Sequence, residues 1–600
     1  MPASIATWLE LDSAMSPAVA ADARTLWYLA TPSGAPQIWR LDLDSDAPPV
    51  QVTSHEDRVM MIRTAPKGPA VAYGIDAGGD ERMQLRLLPG GGVAARPLTD
   101  APDVIHGWGG FSPDGAQLAF TANDRDPAST DLLVMDVATG ARRRVWATGG
   151  PYELAGWHPD GKRLLALSVP RDLESLPVLV DVASGAHEWL TPRAKRRYLA
   201  PRWRKDGAGF WCLSDRDGEH LALCWFELAT RRLEALATPP HDVERLAVSP
   251  DQRTIAFVVN EEGWSRLRFL DVGSGALVDA PALPDGTIGD MSWAGTARLV
   301  LALSTPTAPS ALWLVERDRH RARELPALPR HSAPPAPAQA PVLFEFPTAD
   351  GRVPAWFYRP EGIAPDGGFP ALIWVHGGPA MQARPEFRAD IQWCLTRGIA
   401  VMVPNIRGST GYGRAYTEAD DHALRPAAIA DVEAARRGLI ARGDIDPARI
   451  AIMGQSYGGW MVLAATTRYP QGWACAIDFY GIASWTTFFE QTGIWRRSHR
   501  AAEYGDPVLD RELLEELSPL KDADRIATPM LVAQGLRDPR VAPLESEQIV
   551  AALRRRNHPV EYVTIPDEGH GFVKRRNRMT VYAAVARFLE ASLALKPPPA

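Results

Sequence analysis

Arg449-Ile-Ala-Ile-Met453 runs directly into Gly454-Gln-Ser-Tyr-Gly458 and then into a helix-like stretch from Trp460 to Tyr469. An apolar strand, a turn with glycine at both ends and a helix form a specific local geometry. The turn is so sharp that side chains at the glycine positions would clash, and Ser456 is held exposed at the helix N-terminus. A Gly-x-Ser-x-Gly match also arises by chance or as a plain tight turn, so the strand-turn-helix setting carries the weight.

A lone serine hydroxyl is a poor nucleophile at neutral pH and needs a histidine base with an acid to orient it. Both occur downstream. Asp538 follows the apolar run Met530 to Ala533, and His570 lies in the glycine-flanked loop after Val560 to Ile565. The chain order Ser, Asp, His is the order of the α/β-hydrolase fold. Single loop residues of these types are usually solvated, but three at strand ends in this order are hard to attribute to that. Asp567 and Glu568 compete for the acid role, yet they stand too close to His570 in sequence to reach its far ring nitrogen. Acyl transfer also needs donors for the developing oxyanion. His376-Gly-Gly-Pro379 follows the run Ala371 to Val375, so the expected donors are the Gly378 and Tyr457 backbone N–H groups, with His376 ordering the glycine turn.

Around this motif, apolar runs at Ala371–Val375, Ile399–Val403, Ile450–Met453, Ala474–Ile477, Met530–Ala533 and Val560–Ile565 alternate with helical stretches. That rhythm predicts a mostly parallel sheet flanked by helices over residues 342–600. Residues 326–341 are Pro- and Ala-rich, including Ala333-Pro-Pro-Ala-Pro-Ala-Gln-Ala-Pro341, and read as an extended linker. Upstream, short strands dominate. Ser112-Pro-Asp-Gly115, His158-Pro-Asp-Gly161, Arg204-Lys-Asp-Gly207 and Ser249-Pro-Asp-Gln252 are tight-turn signatures, with aspartates at steps of 46, 46 and 45. The same step reaches back to Gly68 and Asp22 and forward to Gly295. Seven equally spaced turns predict a seven-bladed β-propeller over residues 1–325, with the first ~16 residues free to pack on the second domain. A β-sandwich offers no reason for so constant a step.

At 600 residues the chain exceeds one core, and 46% hydrophobic with 23% charged residues is ordinary globular composition. The net charge of -7, with basic residues dispersed, argues against nucleic acid. No 18-residue apolar run or secretory pattern occurs, which argues against a membrane span. Four cysteines without disulfide or metal spacing suggest a reducing cytoplasm. There is no Walker loop, dinucleotide fingerprint or His-Glu-x-x-His, so neither metal nor other cofactor is expected. A homo-oligomer stays open.

Asp350-Gly351, His376-Gly-Gly-Pro379, Asn405-Ile-Arg-Gly-Ser-Thr-Gly-Tyr-Gly413, Gly454-Gln-Ser-Tyr-Gly-Gly459, Asp538-Pro-Arg-Val541 and Gly569-His-Gly-Phe572 together resemble the prolyl oligopeptidase family of serine peptidases. Within it, the acylaminoacyl-peptidase and dipeptidyl-peptidase-like branch is the most similar, and the resemblance spans about residues 342 to 590. It implies a propeller that caps the active site and a preference for short peptides. It also implies that Arg540 bonds a substrate carbonyl, against the plain reading of a solvated arginine. The aromatics of Phe479–Trp485 and Phe488–Phe489 would line a specificity pocket or pack in the core. Gln534 and Ala542 depart from the His and Pro usual before the acid and after the arginine. Glu261-Glu262 could hold a free substrate amine but fits an ordinary turn, so acylated or internal peptides are favoured. The leading expectation is a peptidase acting through an acyl-Ser456, releasing acylated residues or dipeptides. The alternatives are an esterase or amidase with the same triad, and an inactive binding protein.

Overall fold

The computed structural model describes residues 4–90, 93–216, 218–328 and 333–595. Between Ala14 and Glu324 the described strands form seven four-stranded antiparallel sheets, the blades of a propeller. The recurrent turn joins the first strand of a blade to its second. Asp22 lies between Ala14–Val19 and Thr25–Ala30, and Asp114 between His106–Phe111 and Gln117–Ala122. Where the turn carries an aspartate, its carboxylate accepts bonds that close it: Asp22 takes Arg24 N and Thr25 N, and Asp114 takes Ala116 N and Ser112 Oγ. The second strands are almost wholly buried, as in Thr254–Glu261, because they pack against both neighbouring blades. The ring closes without a shared strand. Ala14 N donates to Ser310 O, Val19 N to Ser292 Oγ, and side chains of the first and seventh blades form one apolar cluster.

From Val342 onward one eight-stranded sheet runs in the order Val342–Thr348, Gly351–Tyr358, Ala400–Pro404, Phe369–Val375, Ile445–Gln455, Cys475–Phe479, Met530–Gly535 and Val560–Ile565. The first two strands pair antiparallel and the last five run parallel with Ala400–Pro404. Phe369–Val375 is buried throughout, and its residues divide by the two-residue period of a strand. Ile373 and Val375 join the core on one face, Leu372 and Trp374 the core on the other. All six apolar runs picked out in the sequence fall on parallel strands of this sheet.

Two features fix the propeller to the sheet. The Ile5–Leu9 helix, which precedes the first blade, buries Ile5, Trp8 and Leu9 in the second face's core beside the Ala389–Thr396 and Arg575–Ser592 helices. The chain returning from the seventh blade is held at Gln339, whose N–H and carbonyl both bond the buried Gln392 side chain. Six of the hairpins between second and third strands contact the α/β domain. Thr31 O accepts from Arg575, Glu81 pairs with Arg540, and Asp172 with His499 and Arg500. Glu219 accepts from Ala415 N, Gly263 O from Arg384, and Pro306 O from Gln392. The turns with the 46-residue step lie at the opposite end of each blade.

Trp8 is 1% exposed, so truncating it opens a cavity in the α/β core. Trp8→Ala is expected to cost about 3–5 kcal/mol. A lowered denaturant midpoint of the α/β domain, with the propeller transition unmoved, is the readout.

Candidate active site

Ser456 ends the strand Ile445–Gln455 and caps the helix Tyr457–Arg468 with φ 57° and ψ -119°. That backbone is costly for any residue but glycine, and the surroundings hold it. A Cβ on Gly454 would lie 2.2 Å from Gly458 O, and one on Gly458 2.2 Å from Val375 O. Both flanking glycines are therefore required by close backbone approach. Ser456 N donates to Phe479 O on the next strand, which pins the turn to the sheet.

The loops after the next parallel strands bring two side chains to the serine. His570 Nε2 lies 2.9 Å from Ser456 Oγ, and His570 Nδ1 lies 2.7 Å from Asp538 Oδ2. The other Asp538 oxygen accepts from Arg540 N and Val541 N, so the buried carboxylate is satisfied on both oxygens. Asp567 and Glu568 point elsewhere: Asp567 is held by Lys574, Arg576 and Asn577, and Glu568 takes the Val573 and Lys574 N–H groups. Three cations or donors around Asp567, acting against its partial burial, pull its carboxyl below the ordinary range. Gln534, where the resembled family has His, is buried and bonds Gly535 O, Val541 O and Ser546 Oγ, so it braces the loop that carries Asp538. Ala542 stands directly before the Pro543–Arg555 helix and leaves that loop intact.

Ser456 and His570 open into a cavity of about 630 Å³ between the two domains. Gly377 and Gly378 form part of its wall beside Ser456, and Gly378 O accepts from Tyr504 Oη. His376 is buried between Ser409 Oγ and Gly377 O and does not line the cavity, consistent with ordering the glycine turn. Tyr457 N lies at the first turn of the helix, with its ring stacked on Tyr504 and its hydroxyl donating to Asp420.

Of the aromatic stretch, Phe479, Tyr480 and Phe488 reach the cavity, whereas Trp485 and Phe489 are core. Tyr480 packs against the His570 ring with centroids 4.7 Å apart. Glu261 pairs loosely with Arg266 and Arg268, and neither it nor Glu262 lines the cavity. Arg540 does line it, and its Nε donates to Glu81 of the second blade at 2.6 Å. Glu81 sits in the turn between the second and third strands of its blade, and its φ of 60° and its reach into the other domain have no local signature. Tyr504, Arg496, Arg500, Asp172 and Glu386 also line the cavity and escaped sequence reasoning, since nothing in their spacing points to Ser456. Glu386 lines the cavity with a solvent-accessible side chain, and desolvation by the surrounding wall raises its carboxyl pKa against the pull of Arg388 and Arg384.

Residues 385–596 match the family model described as the prolyl oligopeptidase family. The chain carries that family's domain and is a serine peptidase. Dipeptidyl aminopeptidase BIII of Pseudoxanthomonas mexicana is 28% identical over 96% of this chain and 86% of that protein. The acylamino-acid-releasing enzyme of Mus musculus is 26% identical over 39% of this chain and 32% of its own. In fold, the peptidase is similar to a Mycobacterium tuberculosis puromycin-hydrolyzing peptidase, with TM-score 0.86, 24% identity and coverage of 100% and 97% of the two chains. An acylaminoacyl peptidase of Pyrococcus horikoshii matches at TM-score 0.75 and 19% identity, covering 100% and 99%. No described helix is long and apolar enough to cross a membrane.

Gly458→Ala forces a methyl group into the Val375 and His376 carbonyls. The expected result is a stability loss of about 1–3 kcal/mol and slow labelling of Ser456 by a fluorophosphonate. Labelling at the wild-type rate would show that the turn tolerates the side chain.

Proposed function

We propose that the peptidase hydrolyses short peptides through an acyl-enzyme on Ser456. The observation that carries this reading is the hydrogen-bonded chain Ser456–His570–Asp538, with spacings of 2.9 and 2.7 Å, opening into the interdomain cavity. In this reading Asp538 holds the Nδ1–H tautomer, which leaves Nε2 free to take the Ser456 proton as Oγ attacks the scissile carbonyl. The Gly378 and Tyr457 N–H groups receive the oxyanion. The His376 ring nitrogen on Gly377 O would hold the peptide plane that carries the Gly378 N–H, and the Tyr504 hydroxyl bonds Gly378 O on the peptide after it. The protonated His570 then gives its proton to the departing amine. Water, deprotonated by the same ring, attacks the acyl carbonyl, and Ser456 Oγ recovers its proton as the carboxylic acid leaves.

Arg540 is positioned to offer its guanidinium to a substrate carbonyl, and its bond to Glu81 would orient it. Residues 1–325 act as the cap, 326–341 as the connector and 342–600 as the catalytic part. The hairpins that meet the α/β domain limit entry to peptides small enough for the cavity. Four buried free thiols suit a reducing cytoplasm.

Fluorophosphonate labelling with peptide assays tests the mechanism. Ser456→Ala is expected to abolish labelling and hydrolysis, and Asp538→Asn to lower kcat by about 10⁴-fold by favouring the wrong tautomer. Short peptides should be cleaved and intact folded proteins spared. Hydrolysis of simple esters with no peptide cleavage would instead favour an esterase.

A further inference from the structure

The Ile494–Tyr504 helix turns one face to the cavity. Arg496, Arg500 and Tyr504 stand four residues apart on it, and all three line the space that holds Ser456. Tyr504 is bonded to Gly378 O. Arg500 lies 2.6 Å from Glu503 and 3.5 Å from Asp172 of the fourth blade. Nearby, Arg540 is answered by Glu81, and across the cavity Arg388 is held in a fork by Asp390.

Arg496 has no carboxylate within ion-pair distance among the described residues, and its Nε is buried without a hydrogen-bond partner. Burial pushes its pKa down to about 10, and the nearby positive charges of Arg500 and Arg540 push the same way against Glu81. A half-buried guanidinium with a buried, unbonded Nε and no ion-pair partner is incompletely satisfied, and a carboxylate entering the cavity relieves that penalty. The cavity as a whole favours such a guest, with five arginines against three carboxylates in its lining.

We infer that Arg496, backed by Arg500, is a subsite for a carboxylate of the substrate. This deepens the proposed function and rests on it: the preferred peptides bear an acidic group near the cleaved bond. The group is either an acidic side chain or the C-terminal carboxylate of a very short peptide. Both offer two oxygens to a planar guanidinium.

The test uses one short neutral peptide amide and three variants of it: the free C-terminal acid, and Gln→Glu on either side of the cleaved bond. Cleavage by the full-length enzyme is followed chromatographically. Wild type is expected to favour at least one carboxylate form by about 10- to 150-fold in kcat/KM, the range for a hydrogen bond to a charged group. Preference for the free acid assigns the chain end; preference for Glu assigns the side chain. Arg496→Gln should reduce that ratio to about threefold or less, whatever its effect on the neutral peptide, and Arg496→Lys should retain part of it.

No carboxylate preference in wild type, or equal losses on all four peptides in Arg496→Gln, overturns the inference. The wild-type ratio stands whether or not a variant folds. Cleavage of the neutral peptide without a preference leaves the peptidase reading intact and removes this one alone. Cleavage of none of the four removes both.

Discussion

The close backbone approach at the end of the Ile445–Gln455 strand is the constraint on which the site depends. Gly454 packs on Gly458, and Gly458 packs on the carbonyls of Val375 and His376, so three segments meet with no room for a methyl group. The Ser456 backbone is held in a left-handed conformation by that contact and by its bond to Phe479 O. The helix it caps starts where an oxyanion would need a donor. Because the parallel strands on either side end at the same level, the loops carrying Gly378, Asp538 and His570 open onto one spot.

The second constraint is electrostatic and spans both domains. The interdomain ion pairs range from exposed, as Arg576–Glu56, to nearly buried, as Arg414–Asp215, and the exposed ones are worth little. The pairs also act geometrically: Arg540–Glu81 and Arg500–Asp172 each tie a propeller hairpin to a residue lining the cavity, and Arg414–Asp215 ties another hairpin to the α/β domain. Apolar anchoring comes from Trp8 and its neighbours, which place the start of the chain in the α/β core and the first blade directly after it. The cap is therefore joined to the sheet at both of its chain ends as well as through its hairpins.

Sequence reasoning read the repeat well because a turn aspartate acts locally. Asp114 or Asp22 closes its own turn with bonds to residues two or three positions away, and that chemistry leaves a fixed spacing whatever lies around it. The six parallel strands were legible for a related reason: strands buried on both faces are continuous apolar runs. Roles that depend on the far side of an interface left no such trace. Glu261-Glu262 could have met a substrate amine but fitted an ordinary turn, and it does not line the cavity, whereas Glu81, a turn acid with no local signature, bonds the cavity-lining Arg540.

The order of Ser456, Asp538 and His570, the two glycines around the serine and the seven turns were all contained in the amino-acid sequence, because each is a short-range requirement of covalent geometry and turn chemistry. Which charges face the cavity was set by packing between domains hundreds of residues apart. Arg496 and Arg497 are chemically identical neighbours. Arg497 spends its donors on the Thr492 and Glu490 carbonyls, while Arg496 lines the cavity that holds Ser456 and leaves its Nε without a partner. Helix rotation against the fourth blade separates them, and no local pattern encodes that rotation.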